Sequence, residues 1–203
     1  KGDMSFLARM FGKLMMNFTW WVNRKDRFGR NVFEGGFLGL DNIGVFDRSA
    51  PFPTGGYLEQ ADGTAWMAFY CLSMFEMTSL LAPHRPGIED MALKFPSHFL
   101  WIASGMMGAG DGTGMWDERD GFFYDVLRLP DGSAQQLRIR SMVGLLPLCA
   151  ATVFDGTVLE RHPAIHERVT RFLETRPELT AFIPDPSRPG HSGRQLAAVL
   201  NER

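Results

Sequence analysis

Asp41 is the residue whose surroundings best suit acid–base chemistry. It lies in the segment Gly36-Phe37-Leu38-Gly39-Leu40-Asp41-Asn42, among glycines and apolar side chains. A carboxyl group in such surroundings loses hydration of its charged form, so its pKa rises, as a general acid working near neutrality requires. An Asp-Asn pair in a glycine-rich loop is also a common turn former that bonds its own backbone. Local chemistry alone favours the turn-forming role for Asp41, with catalysis as the second candidate.

Six further residues are candidates for substrate binding: Phe37, Asn42, Asp62, Trp66, Trp116 and Tyr124. Aromatic rings offer flat apolar faces to a sugar ring, although aromatic residues at helical spacing are more often part of the core. Trp116 is the best stacking candidate because it lies in a predicted loop. Asp62 is favoured as the cap of a helix that begins near Gly63, a role worth about 0.5–2 kcal/mol, and substrate contact is its second candidate role.

The sequence favours neither a metal site nor a bound cofactor. Asp117, Glu118 and Asp120 precede a predicted hairpin, where three carboxylates are more typical of a solvated turn than of a cation site. His162 and His166 are four residues apart, but His162 precedes a proline and lies at a helix start, with no further ligand near in the sequence. We therefore expect no metal and no cofactor.

Composition restricts the class of partner. With 21 Lys and Arg against 23 Asp and Glu, the net charge of -2 offers no basic surplus for nucleic acid. The longest apolar stretch, residues 142–154, is shorter than the ~20 residues that a membrane span needs. Cys71 and Cys149 fall in apolar helical patterns, where a free cysteine behaves as a small hydrophobic residue. We expect a cytoplasmic protein without a nucleic-acid or membrane partner.

Helices are the main elements that must position the candidate residues. The spacing of apolar residues predicts helices over about 4–23, 63–82, 88–106, 141–154 and 163–175, and the start of another at 195–200. Pro96 is expected to bend the third of them. Residues 122–129 and 137–140 flank the turn sequence Pro130-Asp131-Gly132 and predict a β-hairpin. These patterns indicate a mainly α fold.

The connection from Lys25 to Gln60 is unlike a linker. It has no helical or strand period, yet it contains seven glycines and six aromatic residues. Connections without secondary structure that exceed ~12–15 residues are uncommon in compact domains unless they are functional or disordered. This connection is too aromatic for disorder. We predict an ordered, functional loop that holds Asp41.

Several segments of the chain resemble glycoside hydrolase family 63, which includes processing α-glucosidase I and bacterial and archaeal relatives acting on glucosides and mannosylglycerate. Gly39-Leu40-Asp41-Asn42 is similar to the acid loop of the family, and residues 58–68 are similar to the start of its next inner helix. Trp116-Asp117-Glu118 and residues 121–125 fit as well. The resemblance covers most of residues 1–150 and is closest to the bacterial glucosidase or mannosylglycerate-hydrolase-like subgroup. After the aspartate, the family usually continues with Ser-Pro or Tyr-Pro and Arg, whereas this chain runs Ile43-Gly44-Val45-Phe46-Asp47-Arg48.

The resemblance implies a fold and a reaction. Residues 1–203 would be part of an (α/α)6 toroid with a small β-hairpin, incomplete at both ends, and the rest of the toroid would be its partner. Asp41 would be the general acid in inverting hydrolysis of α-glycosidic bonds in an oligosaccharide or small glycoside. The base, a glutamate, would follow Arg203. Inversion places the two carboxyl groups about 6.5–9.5 Å apart, which leaves room for the attacking water.

Two other classes of function remain open from the residues. The first is a non-catalytic helical module that binds a carbohydrate or a partner domain through the same aromatic loops. The second is another α/α-toroid carbohydrate enzyme, such as a phosphorylase or a lyase. Phosphorolysis would need a basic phosphate pocket, for which the loop offers Arg48.

Overall fold

The computed structural model describes residues 2–26, 28–34, 39–40, 42–44, 46–53, 55–109, 112–155, 163–185 and 188–201. The α-helices of this part are α1 (Met4–Val22), α2 (Ala61–Leu81), α3 (Lys94–Met106), α4 (Pro163–Thr175) and α5 (Pro177–Thr180). The strands are β1 (Tyr57–Glu59), β2 (Trp116–Asp117), β3 (Phe122–Phe123), β4 (Asp125–Arg128), β5 (Ala134–Leu137), β6 (Ala151–Phe154) and β7 (Gln195–Ala198). Short 3₁₀ helices occur at Ala82–His84, Ile88–Met91, Met142–Cys149 and His191–Gly193.

The strands form three small antiparallel sheets. The largest has the order β1-β4-β5, while β2 pairs with β3 and β6 pairs with β7. In the largest sheet, Glu59 lies opposite Val126 and Tyr57 lies opposite Arg128. This register brings the end of β1, just before α2 begins, beside the start of β4.

Helix α2 is the centre of the hydrophobic core. It packs against α1, α3 and the 3₁₀ helix Met142–Cys149, and its buried residues lie on most sides of the helix. Among the described helices, the segment Ala61–His84 is long and apolar enough to cross a membrane. However, 61% of its most apolar stretch of 18 residues is buried within the protein. Core helices of soluble proteins have the same property.

Helix α1 attaches to this core through aromatic contacts. The Asp3 side chain accepts a hydrogen bond from the Phe6 N–H at 2.9 Å and caps the helix at its start. Phe18 is fully buried, and its ring meets Tyr70 and Phe95 edge to face, with centroids 5.4 and 5.2 Å apart. Such edge-to-face pairs add about 0.5–1.5 kcal/mol to the burial of the rings. Phe18 therefore joins α1 to both α2 and α3.

The predicted (α/α)6 toroid is wrong. A toroid of that kind consists of successive helix pairs, whereas the described chain places antiparallel strands between α1 and α2, between α3 and α4, and after α5. Helical spacing is a local signal, and it does not report that residues 151–154 pair with residues 195–198. The described part is a mixed α/β unit in which α-helices and small sheets share the main hydrophobic core, while Phe52, Leu58 and Leu127 form a second, smaller cluster at the largest sheet.

Two predicted helices form other structures. The segment predicted as a helix over 141–154 divides into a 3₁₀ helix and strand β6, because Pro147 interrupts the helical hydrogen bonds. Gly144 allows a close approach there, since a Cβ on this residue would collide with the Phe123 carbonyl oxygen. The segment 195–200 contains strand β7 and was also wrongly predicted as helical. Pro96 lies in the first turn of α3, where a missing N–H is tolerated, so the α-helix begins at Lys94 instead of bending.

Truncation of Phe18 tests the aromatic attachment of α1. Phe18→Ala should lower the free energy of unfolding by about 3–5 kcal/mol, since it leaves a cavity between three helices. Phe6→Ala is the matched control on the same helix, because Phe6 is 51% exposed. Urea unfolding should show little change for the control. Equal losses for the two variants would contradict the packing described for α1.

Candidate functional site

Five of the seven predicted site residues can be located, since Asp41 and Phe37 lie outside the described residues. Asn42 and Trp66 are exposed, Trp116 is half-buried, and Asp62 and Tyr124 are buried. The described residues of the connection from Lys25 to Gln60 are held by contacts with the helices and the largest sheet.

A buried arginine joins the loop to α2 and to the largest sheet. Arg48 is 5% exposed, and it uses all five guanidinium N–H groups. Nε and Nη2 donate to the two Asp125 carboxylate oxygens at 2.8 and 3.2 Å. Nη2 and Nη1 donate to the two Asp62 oxygens at 2.6 and 3.1 Å. The remaining N–H of Nη1 donates to the Leu40 carbonyl oxygen at 2.9 Å. We call Arg48, Asp62 and Asp125 the Arg48 cluster.

The junction between β1 and α2 holds the Arg48 cluster in place. Gln60 is the N-cap residue of α2, and its Nε2 atom donates to the Arg48 carbonyl oxygen at 2.8 Å. The Ala61 N–H, in the first turn, donates to Asp125 Oδ1 at 2.9 Å. Main chain and side chain of Arg48 are thus both fixed by the same short stretch of α2.

The predicted cap at Asp62 is replaced by Asp125. Helix α2 begins at Ala61, before the expected start, so Asp62 lies inside its first turn. Asp62 accepts from the Gly63 N–H at 2.9 Å and from Arg48, while Asp125 reaches the helix start from β4. The carboxylate that accepts a hydrogen bond from the helix start therefore comes from another element, β4. A capping pattern of neighbouring residues does not identify such a distant partner.

Burial and charge act in opposite directions on the pKa values of the Arg48 cluster. Burial raises the pKa of Asp125, although the Arg48 charge and the Ala61 N–H lower it. Burial lowers the pKa of Arg48, but the Asp62 hydrogen bond and the two carboxylate charges outweigh that effect, so the pKa of Arg48 is raised. Two carboxylates on one guanidinium leave a net charge of -1. The positive end of the α2 dipole stabilises this charge.

A second buried ion group lies along the same sheet. Glu59, at the end of β1, pairs through Oε1 with Arg30 and through Oε2 with Arg128, each at 3.0 Å. Arg128 also donates to the Thr113 carbonyl oxygen at 2.9 Å. One carboxylate between two arginines gives this group the opposite net charge to the Arg48 cluster. Because the Arg30 side chain is 29% exposed, the fully buried part of this group is the neutral Glu59–Arg128 pair.

Trp116 lines an open cleft of about 960 Å³ beside β5, which we call the Trp116 cleft. Phe46 from the loop and the polar side chains Glu118 and Arg138 also line it. The Gln136 Nε2 atom donates to the Trp116 carbonyl oxygen at 3.1 Å and fixes the main chain there. A flat aromatic surface beside polar groups is the combination that binds small polar ligands such as sugars.

Tyr124 cannot offer its ring to a ligand, because it is 2% exposed. Its hydroxyl donates to Asp120 at 2.8 Å and accepts from Arg140 Nε at 3.2 Å. The Tyr124 hydrogen bond, followed by the Arg140 and Arg138 charges, lowers the pKa of Asp120. Asp117 pairs with Arg138 in turn. The described part of the chain contains no group of three residues suited to hold a metal ion.

A second open cleft, of about 820 Å³, is lined by Arg48, Glu34, Tyr57 and the Trp20-Trp21 pair, among others. The Arg24 guanidinium lies 3.9 Å from the Trp20 ring centroid and covers one face of that ring. Trp66 is 45% exposed beside Phe69 on α2, and it is not among the described wall residues of either cleft. The Trp116 cleft is therefore the better candidate for stacking.

The roles of Arg48 and Asp125 are not evident from the sequence. By residue type, Arg48 is a candidate phosphate ligand, and Asp125 lies in a family-like segment that implies no role for it. The signal was an arginine in a loop rich in apolar residues, since a buried guanidinium requires carboxylate partners. The identity of those partners depends on the pairing of β1 with β4, which sequence patterns do not specify.

Comparison with known proteins identifies a relative but no family. No protein-family model matches the chain. The chain is 49% identical, over 213 aligned residues and 98% of its length, to the uncharacterized protein YMR196W of Saccharomyces cerevisiae. It spans 20% of the length of that yeast protein. Activity, substrate and partners of the whole protein are therefore proposals.

Removal of Asp125 tests the Arg48 cluster. Asp125→Ala should lower the free energy of unfolding by about 1–3 kcal/mol, because it leaves two guanidinium N–H groups of Arg48 and the Ala61 N–H without their acceptor, while Asp62 still balances the Arg48 charge. Asp131→Ala is the matched control, since Asp131 is an exposed carboxylate in the turn between β4 and β5. Urea unfolding should show a far smaller loss for the control. A small loss for Asp125→Ala would mean that Arg48 does not depend on this partner.

Proposed function

We propose that the chain contributes the general acid, Asp41, to an inverting hydrolase of α-glycosidic bonds. The observation that carries the proposal is the convergence of three family-like segments on Arg48. The side chain of Arg48 bonds Leu40 in the segment 39–44, which we call the acid loop. It also bonds Asp62 at the start of α2 and Asp125 at the start of β4. These segments are those whose residues resemble glycoside hydrolase family 63. Their convergence is expected if they act as one site.

The chemistry assigns Asp41 one of two roles. Inversion requires a carboxylic acid that protonates the leaving oxygen and a carboxylate that activates water on the opposite face of the sugar. Asp41 is proposed as the acid. The family resemblance assigns the base to a glutamate beyond Arg203, so the complete protein would supply it.

The Trp116 cleft is the proposed binding surface for the oligosaccharide or small glycoside. The Trp116 ring would stack on a sugar face, while Glu118 and Arg138 would exchange hydrogen bonds with its hydroxyl groups. Phe46 follows the acid loop closely in the chain and connects this surface with it. Nucleic acid and membrane are not proposed as partners, in line with the net charge of -2.

A cytoplasmic location is part of the proposal. Both cysteines are free: Cys71 is buried in α2, and Cys149 is exposed. Burial raises the pKa of the Cys71 thiol and keeps it protonated and unreactive. Two free thiols suit a reducing compartment.

A second candidate function is carbohydrate binding without catalysis. The Trp116 cleft favours it, because an aromatic wall with polar neighbours binds a sugar without any need for an acid. The two functions differ in one observable respect. A binding module would retain an oligosaccharide unchanged, whereas a hydrolase would release its sugar with inverted anomeric configuration.

Replacement of Asp41 in the complete protein tests the proposed hydrolysis. Asp41→Asn should lower kcat about 10²–10⁴-fold for glycosides with poor leaving groups, since their leaving oxygen needs a proton. The loss should be far smaller for activated aryl glycosides. Asp47→Asn is the matched control, because Asp47 is an exposed carboxylate in the same loop. Equal losses on both substrate classes in Asp41→Asn would contradict the acid role.

A further inference from the structure

Arg48 makes one contact beyond those that balance its charge. Asp62 and Asp125 occupy four of the five guanidinium N–H groups and satisfy the charge. The fifth N–H reaches the Leu40 carbonyl oxygen, eight residues earlier in the chain. That contact links the acid loop to the Arg48 cluster through a main-chain atom, so it does not depend on the identity of the Leu40 side chain.

The described residues of the acid loop contribute little packing of their own. Gly39, Asn42 and Gly44 are exposed, while Leu40 and Ile43 are partly buried against the core. Gly39 has a φ of 73°, a conformation that favours glycine and offers no side chain to pack. The charge-assisted bond from Arg48 is therefore a principal restraint on this segment.

We infer that Arg48 is a positioning residue for the general acid. The Leu40 carbonyl carbon is covalently bonded to the Asp41 nitrogen, so Arg48 acts one peptide group before the acid. Arg48 is itself held by α2 and β4, through Asp62, Asp125 and the Gln60 amide. A displacement of about 1 Å at a reacting group can reduce the rate about 100-fold. The inference rests on the proposed function, because it gives Arg48 a role through Asp41.

Arg48→Lys in the complete protein is the direct test. Lysine keeps the charge, but it lacks the planar fork that bonds two carboxylates and a carbonyl oxygen together. Amide hydrogen exchange over residues 39–44 should become at least about 10-fold faster. The kcat for glycosides with poor leaving groups should fall about 10- to 100-fold, and the kcat for activated aryl glycosides should fall much less.

Arg128→Lys is the matched control. Arg128 is the buried arginine that pairs with Glu59 in the same sheet, and it bonds the Thr113 carbonyl oxygen instead of the acid loop. Arg128→Lys should destabilise the protein. It should not selectively accelerate amide hydrogen exchange at residues 39–44, and any fall in kcat should be the same for the two classes of glycoside. If Arg48→Lys does not fold, Asp62→Asn weakens the same cluster with a smaller change and should give the same selective pattern.

The outcomes separate the inference from the proposed function. Unchanged exchange at residues 39–44, or equal loss on both substrate classes in Arg48→Lys, would overturn the positioning role while Asp41→Asn still discriminated between substrates. Absence of discrimination in Asp41→Asn would overturn the proposed function, and the inference with it. A change confined to stability would show that Arg48 acts only in the fold.

Discussion

Burial of the Arg48 guanidinium is the constraint on which the candidate site depends. A charge removed from water costs several kcal/mol unless it is paired and fully hydrogen-bonded. Arg48 meets that requirement with two carboxylates and one carbonyl oxygen. Because these partners come from β4, α2 and the acid loop, none of the three segments can move away without leaving a buried guanidinium N–H unpaired.

The position of the Arg48 cluster follows from the sheet and from α2 together. β1 leads directly into α2, and β1 pairs with β4, so the helix start and the first residue of β4 lie side by side. Asp125 uses this proximity twice, because it bonds both Arg48 and the Ala61 N–H. Glu59, between Arg30 and Arg128, repeats the arrangement with one carboxylate and two arginines. These buried ion pairs favour one register of β1 against β4. A slip by one residue would move Asp125 away from the start of α2 and Arg128 away from Glu59.

Local sequence patterns predicted the parts of the fold that local physics determines. The apolar period gave α1, α2 and α4 close to their observed limits, and Pro130-Asp131-Gly132 gave the β4–β5 hairpin. The toroid was implied by the family resemblance, and it is wrong because small antiparallel sheets lie between the helices; residues 195–198, predicted as helical, form one of their strands. The spacing of apolar residues in a segment this short fits either a helix or a strand. Pairing with a strand that is distant in the sequence determines which of the two forms.

The candidate site was predictable to a similar degree. Asp62 and Trp116 could be named as candidates from the sequence, but Asp62 lies inside the first turn of α2 instead of before it, and Trp116 lies in strand β2 instead of in a loop. Their partners could not be identified, because Arg48 and Asp125 are 77 residues apart and meet through sheet pairing. Tyr124 illustrates the opposite error, since an aromatic residue suited to stacking is used inside the protein to hold Asp120.

A double-mutant cycle between Arg48 and Asp62 tests the central claim most directly. Unfolding free energies of the native protein, Arg48→Gln, Asp62→Asn and the double variant give the coupling between the two side chains. A cluster in direct contact predicts a coupling of about 0.5–3 kcal/mol, with the double variant less destabilised than the sum of the single variants. Additivity within about 0.3–0.5 kcal/mol would show that the two side chains do not depend on each other, and it would contradict the account of the site.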